Sequence, residues 1–249
     1  MGQFSDALDG GPLRLELRSI NGRDFALLRP IAYTTGGDAE PFVVPAQLET
    51  FRTDMASVPW VFTWLVPRSG RFLPAAVLHD ALVQPGAYTG PEITRAEADR
   101  LFRIAMRELG TGTIRTWLMW AAVSMATMWD TERPRWYWRG AVVGLIAVVT
   151  VLGILATLDL FDVWNVLPWM GERSLGAELL GGALGAVVVP TLLACAWGRT
   201  FAPAGIITGV ALAFLVHVTL AIALVYTLYW LIERAVSGPV VLRGPPFGG

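Results

Sequence analysis

The chain has 249 residues, of which 54% are hydrophobic and 16% charged, with a mean hydropathy of +0.53 and a net charge of −1. Charged residues supply about a quarter of an ordinary soluble domain, so the average is pulled toward lipid. The near-zero balance gives no argument for nucleic acid or anionic lipid as a partner of the whole chain, and no nucleic acid is expected. The single cysteine, Cys195, excludes an intrachain disulfide and a cysteine-based zinc cluster.

Charge is unevenly spread along the chain. Up to Arg139 charged side chains recur, all the basic ones being arginine; beyond Gly140 they are sparse and separate long apolar runs. The expected organisation is a soluble domain over 1–132, a transmembrane region over 133–234 and a tail over 235–249. Met1–Gly11 has neither a basic start nor an apolar run, so no secretory signal is read there.

In chain order, Leu13–Arg18 alternates strictly and predicts a half-buried strand. Asn21-Gly22 offers a turn, Phe25–Tyr33 a return strand, and Phe42–Val44 a third short strand after the loop at Gly36-Gly37-Asp38. Ser57 can cap a short helix through Trp60–Leu65, with Pro59 in its first turn. Pro74 begins a second helix, Ala75–Val83, which stops before Pro85-Gly86. Thr94 and Glu97 form a capping-box pattern for a third that ends at Gly110. A fourth, Ile114 to about Trp129, is too amphipathic to count as a span. The fold expected is α+β: a small antiparallel β-meander packed on three to four helices, followed by a three-helix transmembrane bundle.

The three expected spans are about 140–158, 179–197 and 205–232, uncharged apart from any proton on His217. A run of roughly 20 residues crosses a hydrocarbon core of about 30 Å. Arg135-Trp136-Tyr137-Trp138-Arg139 before the first run, with Trp164 and Trp169 after it, reads as an interfacial anchor belt. Each run opens with Gly-x-x-x-Gly (Gly140/Gly144, Gly181/Gly185, Gly205/Gly209), which favours close packing within the bundle or between copies. His217 reads as a ring bonded to a neighbouring helix. Arg133, Arg135, Arg139 and Arg199 fall on one side of the spans and an acidic loop on the other. This places the N-terminal domain in the cytoplasm of a bacterium, with the chain in its plasma (inner) membrane.

Two polar clusters interrupt apolar surroundings in the soluble half: Thr53-Asp54-Met55-Ala56-Ser57-Val58-Pro59 and Ala75-Ala76-Val77-Leu78-His79-Asp80. On a helix His79 shares a face with Ala75, Ala76, Leu82 and Val83, and Asp99 flanks the apolar stripe of the next helix. A buried imidazole beside carboxylates suits a general base or a metal ligand. The bland alternative is that Asp54 and Ser57 cap backbone and a His–Asp bond ties two helices. No HExxH-type, Cys-x-x-Cys or phosphate-loop pattern is present to decide between them.

The ordered runs Val44-Pro45-Ala46…Thr53-Asp54-Met55-Ala56-Ser57-Val58-Pro59, Ala75-Ala76-Val77-Leu78-His79-Asp80 and Ala98-Asp99-Arg100-Leu101-Phe102-Arg103-Ile104-Ala105-Met106 resemble the DUF1353 family. That family is of unknown function and common in phages and prophages. It typically shows VPAGF-TDxASVP, AAVxHD and a later ADxxFxxAM. Here the first motif lacks its Gly and carries extra residues, and Val83 stands where a tyrosine often follows. The resemblance covers roughly Phe42 to Trp129. It implies a shared site of His79, Asp80, Asp54, Ser57 and Asp99 but supplies no reaction and no cofactor, and leaves metal binding open. Two functions follow: a membrane-anchored accessory or interaction protein of phage or prophage type, or a membrane-tethered hydrolase using the His–Asp cluster. The partners expected are the lipid bilayer, a second copy through the transmembrane helices, and a protein partner.

Overall fold

The computed structural model describes residues 2–21, 24–36, 39–46, 51–54, 63, 65–67, 69–130, 133–170 and 173–237. Five strands precede six helices, and the chain divides into two compact units at Trp120/Ala121.

In the first unit, β1 (Gln3–Asp6), β4 (Ile31–Thr34) and β5 (Phe42–Val44) form one antiparallel sheet in the order β1-β4-β5, and β2 (Leu17–Ser19) pairs with β3 (Phe25–Leu27) in a second. Phe4 faces Tyr33 and Tyr33 faces Phe42 in the ladder, so one aromatic row crosses the larger sheet. The strand expected over Leu13–Arg18 is ordered as a ladder only from Leu17. The return strand expected over Phe25–Tyr33 is broken between Leu27 and Ile31, its two halves lying in different sheets. Pro30 lacks the N–H that a continuous ladder needs there, and its carbonyl accepts instead from Ala7 N–H. β1 was not expected at all. Asp6, at its end, is wholly buried and hydrogen-bonded by Arg29, which holds its carboxyl below the ordinary value.

α1 (Leu73–Leu82), α2 (Arg95–Glu108) and α3 (Thr113–Asp130) follow where the spacing predicts them. The short helix expected after Ser57 lies outside the described residues. Pro74 occupies the first turn of α1, where a missing N–H leaves no gap in the ladder. Seven of the ten α1 residues are buried, so this short alanine-rich helix is the centre of the unit. α2 opens on a complete capping box between Thr94 and Glu97 and is followed by Gly110 at φ +74, a conformation that suits glycine. Phe51, Phe72, Leu78 and Met106 are almost fully buried around these helices, each side chain contributing about 1.5–3 kcal/mol by leaving water. Glu108, near the end of α2, accepts from Tyr33 Oη and Gly2 N at 2.7 Å each, fixing the larger sheet to that helix.

In the second unit, α4 (Arg135–Leu160), α5 (Leu175–Cys195) and α6 (Gly198–Ser237) are long and apolar enough to cross a membrane. At most 17% of each hydropathic window is buried inside the protein, so most of their apolar surface points outward. A surface of that kind fits a membrane protein. The interior is small: Met128, Val142, Leu145, Val149, Trp197 and Phe201 form its core. Two of the three glycine pairs are used within the chain. A Cβ on Gly181 would collide with the Trp169 carbonyl and one on Gly185 with the Trp169 indole; Gly205 lies against Ala194 and Trp197, and Gly209 against Pro190. Gly140 and Gly144 face open space. His217 is hydrogen-bonded to Thr157 of α4, the neighbouring-helix bond expected of it.

Removing the α2 cap tests the local reading of that helix. Thr94→Ala should cost about 1 kcal/mol, seen as a lower urea midpoint for proteolysis of the first unit in the full chain.

Candidate functional site

α1 carries the two candidate residues that matter most, and helical geometry sends them in different directions. Adjacent positions on a helix point about 100° apart. His79 faces α2, where its Nε2 lies 2.8 Å from Asp99 Oδ1. The residues are 7% and 2% exposed, so the pair is shielded from solvent. The imidazole also stacks, tilted, on Phe102 with centroids 5.0 Å apart. Asp99 and Phe102 are one turn apart on the buried face of α2, whose start is fixed by the capping box.

Asp80 faces the other way. Its Oδ2 accepts from Thr53 Oγ1 at 2.5 Å. Thr53 is held there by backbone: its N–H and carbonyl exchange hydrogen bonds of 3.0 and 2.8 Å with Phe25 of β3. After α1 in the chain, Thr89 exchanges a similar pair with Val43 of β5. The segments before and after the helix are thus each tied to a sheet by a short bridge. Burial pushes the Asp80 carboxyl up to about 7; the Thr53 hydroxyl and His79 act against this, and the negative charge of Asp54 adds to it.

The expected set therefore resolves into two pairs on two sides of α1: His79 with Asp99, and Asp80 with Thr53, Asp54 acting on Asp80 through its charge. Ser57 lies outside the described residues. Thr53 was not among the candidates, although it opens the Thr53-Asp54-Met55-Ala56-Ser57 cluster; its part follows from the bridge to Phe25, a contact no local spacing reveals. Among the described residues no three His, Cys, Asp or Glu side chains are grouped so that they could hold a metal ion.

A second polar group, around the His217 anticipated from the sequence, lies in the apolar unit. A cavity of about 470 Å³ between α4, α5 and α6 is lined mainly by apolar side chains, with His217, Thr157 and Glu178 among them. Thr157 Oγ1 donates to Gly153 O at 2.8 Å, which leaves it an acceptor toward the His217 ring. Asp159 and Glu178 are buried near the ends of their helices, each accepting from loop backbone N–H groups: Val166 and Leu167 for Asp159, Arg173 for Glu178. They serve as helix-end ties.

Residues 25–123 match the family described as "protein of unknown function (DUF1353)". No curated protein and no solved structure matches the chain.

Two outcomes follow from these pairs. His79→Ala removes a buried hydrogen bond of Asp99 and should destabilise the first unit by about 1–3 kcal/mol. Asp99→Asn, whose amide can still hydrogen-bond to Nε2, should cost less in the same proteolysis assay. For Asp80 the sign runs the other way from an ordinary salt-bridged carboxylate. Its folded value of about 7 lies above the ordinary 3.8, so between those values the folded chain keeps a proton that the unfolded chain releases. Its stabilising effect is complete below about pH 4 and declines as pH rises toward 7 and beyond. Asp80→Asn should raise the urea midpoint at about pH 8 and leave it unchanged near pH 4.

Proposed function

We propose, from the match of residues 25–123 to the DUF1353 family and the three apolar helices that follow it, that this chain is a membrane-anchored accessory protein of phage or prophage type. α4, α5 and α6 hold it in the bacterial plasma membrane, and the N-terminal domain works from the cytoplasmic side as an interaction module. The observation that carries this reading is the burial of the His79–Asp99 pair: both side chains are shielded from solvent and hydrogen-bonded to each other. A catalytic imidazole needs access to substrate, whereas a helix-tying one needs shielding. Placement of Arg133, Arg135, Arg139 and Arg199 on one side supports the cytoplasmic orientation.

One observation favours the second reading, a membrane-tethered hydrolase. Asp80, next to His79 in sequence, has a carboxyl held at about 7, suited to exchanging a proton at neutral pH. In that reading Asp80 is the acid–base group and Asp54 its electrostatic partner.

Extraction of membranes at alkaline pH, with reporters fused at the N-terminus, tests anchoring and orientation. The chain should stay in the pellet and the reporter should read cytoplasmic; release into the supernatant, or an extracytoplasmic reporter, sinks the corresponding half of the proposal. Metal content of the purified chain, compared with His79→Ala, tests the metal-dependent form of the hydrolase. The accessory reading expects no stoichiometric metal and a variant that is merely less stable. Bound metal lost with the imidazole would establish the metal-dependent hydrolase instead.

A further inference from the structure

α2 turns one face to the core and another to solvent. Ala98, Asp99, Phe102, Ala105 and Met106 are buried, while Arg100 and Arg107 are exposed and Arg103 lies between them, half-buried. Positions 100, 103 and 107 share one side of a helix, so three guanidinium groups stack along it. Like charges at this spacing repel, and a helix normally relieves this with acids one turn away. Glu97 acts on Arg100 through its charge, but the hydrogen bonds of the nearby acids go elsewhere. Glu97 is bonded to the backbone and hydroxyl of Thr94, and Glu108 to Tyr33 and Gly2. None of the ion pairs among the described residues involves Arg100, Arg103 or Arg107.

Aromatic rings complete the face. The Arg103 guanidinium lies over Trp117 at 4.4 Å from the ring centroid and near Trp120 at 5.8 Å, and its Nε is buried without a hydrogen-bond partner. Arg115 is exposed on the same stretch of α3, and Ile114, one turn before Trp117, is 76% exposed. Arginines beside half-exposed tryptophans and an exposed isoleucine match the layered chemistry of a bilayer edge: phosphate outermost, carbonyl and indole level next, hydrocarbon below.

We propose that the Arg100–Arg103–Arg107 face of α2, with Trp117 and Ile114 of α3, docks the N-terminal domain on anionic phospholipid headgroups. This deepens the anchoring reading and rests on it, because α4–α6 would supply headgroups to a tethered domain at high effective concentration. Charge complementarity selects the anionic headgroup, and the interfacial aromatics favour a bilayer over a soluble polyanion. Arginine forks take phosphate oxygens two at a time, while Trp117 holds Arg103 in place for that contact.

The test uses the full chain with Cys195→Ala and Ile114→Cys, labelled at position 114 with a polarity-sensitive fluorophore and placed in lipid nanodiscs. Emission should move to the blue in discs containing phosphatidylglycerol and not in phosphatidylcholine alone. About 1 M salt, where the Debye length is about 3 Å, should reverse the shift. Arg100→Gln with Arg107→Gln, both solvent-facing and safe for folding, should cut the docking equilibrium roughly 30-fold, at about fivefold per charge. A chain that stays in the discs with the same emission in both lipids overturns the docking alone. So does a double variant that keeps its shift, or a shift produced in phosphatidylcholine discs by a single-stranded oligonucleotide. A chain that elutes apart from the discs overturns the anchoring reading, and the docking with it.

Discussion

The first unit depends on a short helix being held from both sides. α1 has only ten residues and no side-chain cap at its start, too little to be stable alone. Its stability comes from burial and from two adjacent side chains that reach different neighbours. His79 fastens it to α2 through Asp99, and Asp80 fastens it to the β3 side through Thr53. Each bond is made where water is largely excluded, so each is worth more than it would be at the surface and costs more when broken. The sheets contribute through backbone: the Phe25–Thr53 and Val43–Thr89 bridges fix the segments on either flank of the helix. A His-Asp dipeptide in such a helix is accordingly a two-sided connector.

The two units bury their apolar residues to very different extents. The first gathers Tyr33, Phe51, Phe72 and Met106 inward and leaves Arg100, Arg107 and Arg115 outside. The second gathers little inward; it turns leucines and valines outward and lets helices approach where glycine removes the obstacle, as at Gly205 against Ala194 and Gly209 against Pro190. Several of its hydroxyls are satisfied locally. Thr157, Thr191, Thr219 and Thr227 each donate to the carbonyl four residues earlier, which spares a hydroxyl the cost of an apolar surrounding.

Helices were legible in the sequence because their signals are local. Thr94 with Glu97, Pro74, Gly110 and the uncharged runs each carry a cause that acts within a turn or two. Strands were less so. β1 has neither length nor alternation to announce it and exists because β4 pairs with it; the break at Pro30 was written in the sequence but outweighed by the apolar residues around it. The His79–Asp99 pair could be anticipated from helix faces, since both residues lie on apolar stripes. The Thr53–Asp80 pair could not, because Thr53 is positioned by a strand that is distant in sequence. Arg103 between two tryptophans is a similar case: each residue is visible, their stacking is not.

The pairing of Gly205 with Ala194 and of Gly209 with Pro190 makes α5 and α6 an antiparallel hairpin, yet α6 has 40 residues against 21 for α5. Carried along at that register, the first residue of α5 comes level with about position 224 of α6, and the rest of α6 extends roughly 20 Å further at 1.5 Å per residue. The overhang is still apolar, with Leu224, Tyr226, Leu228 and Tyr229 exposed, and Arg234 folds back over Trp230 near its end. In a bilayer, α6 therefore decides how thick a hydrocarbon layer the bundle accepts. A thin membrane forces it to tilt, and a thick one is filled by it alone while its two neighbours fall short.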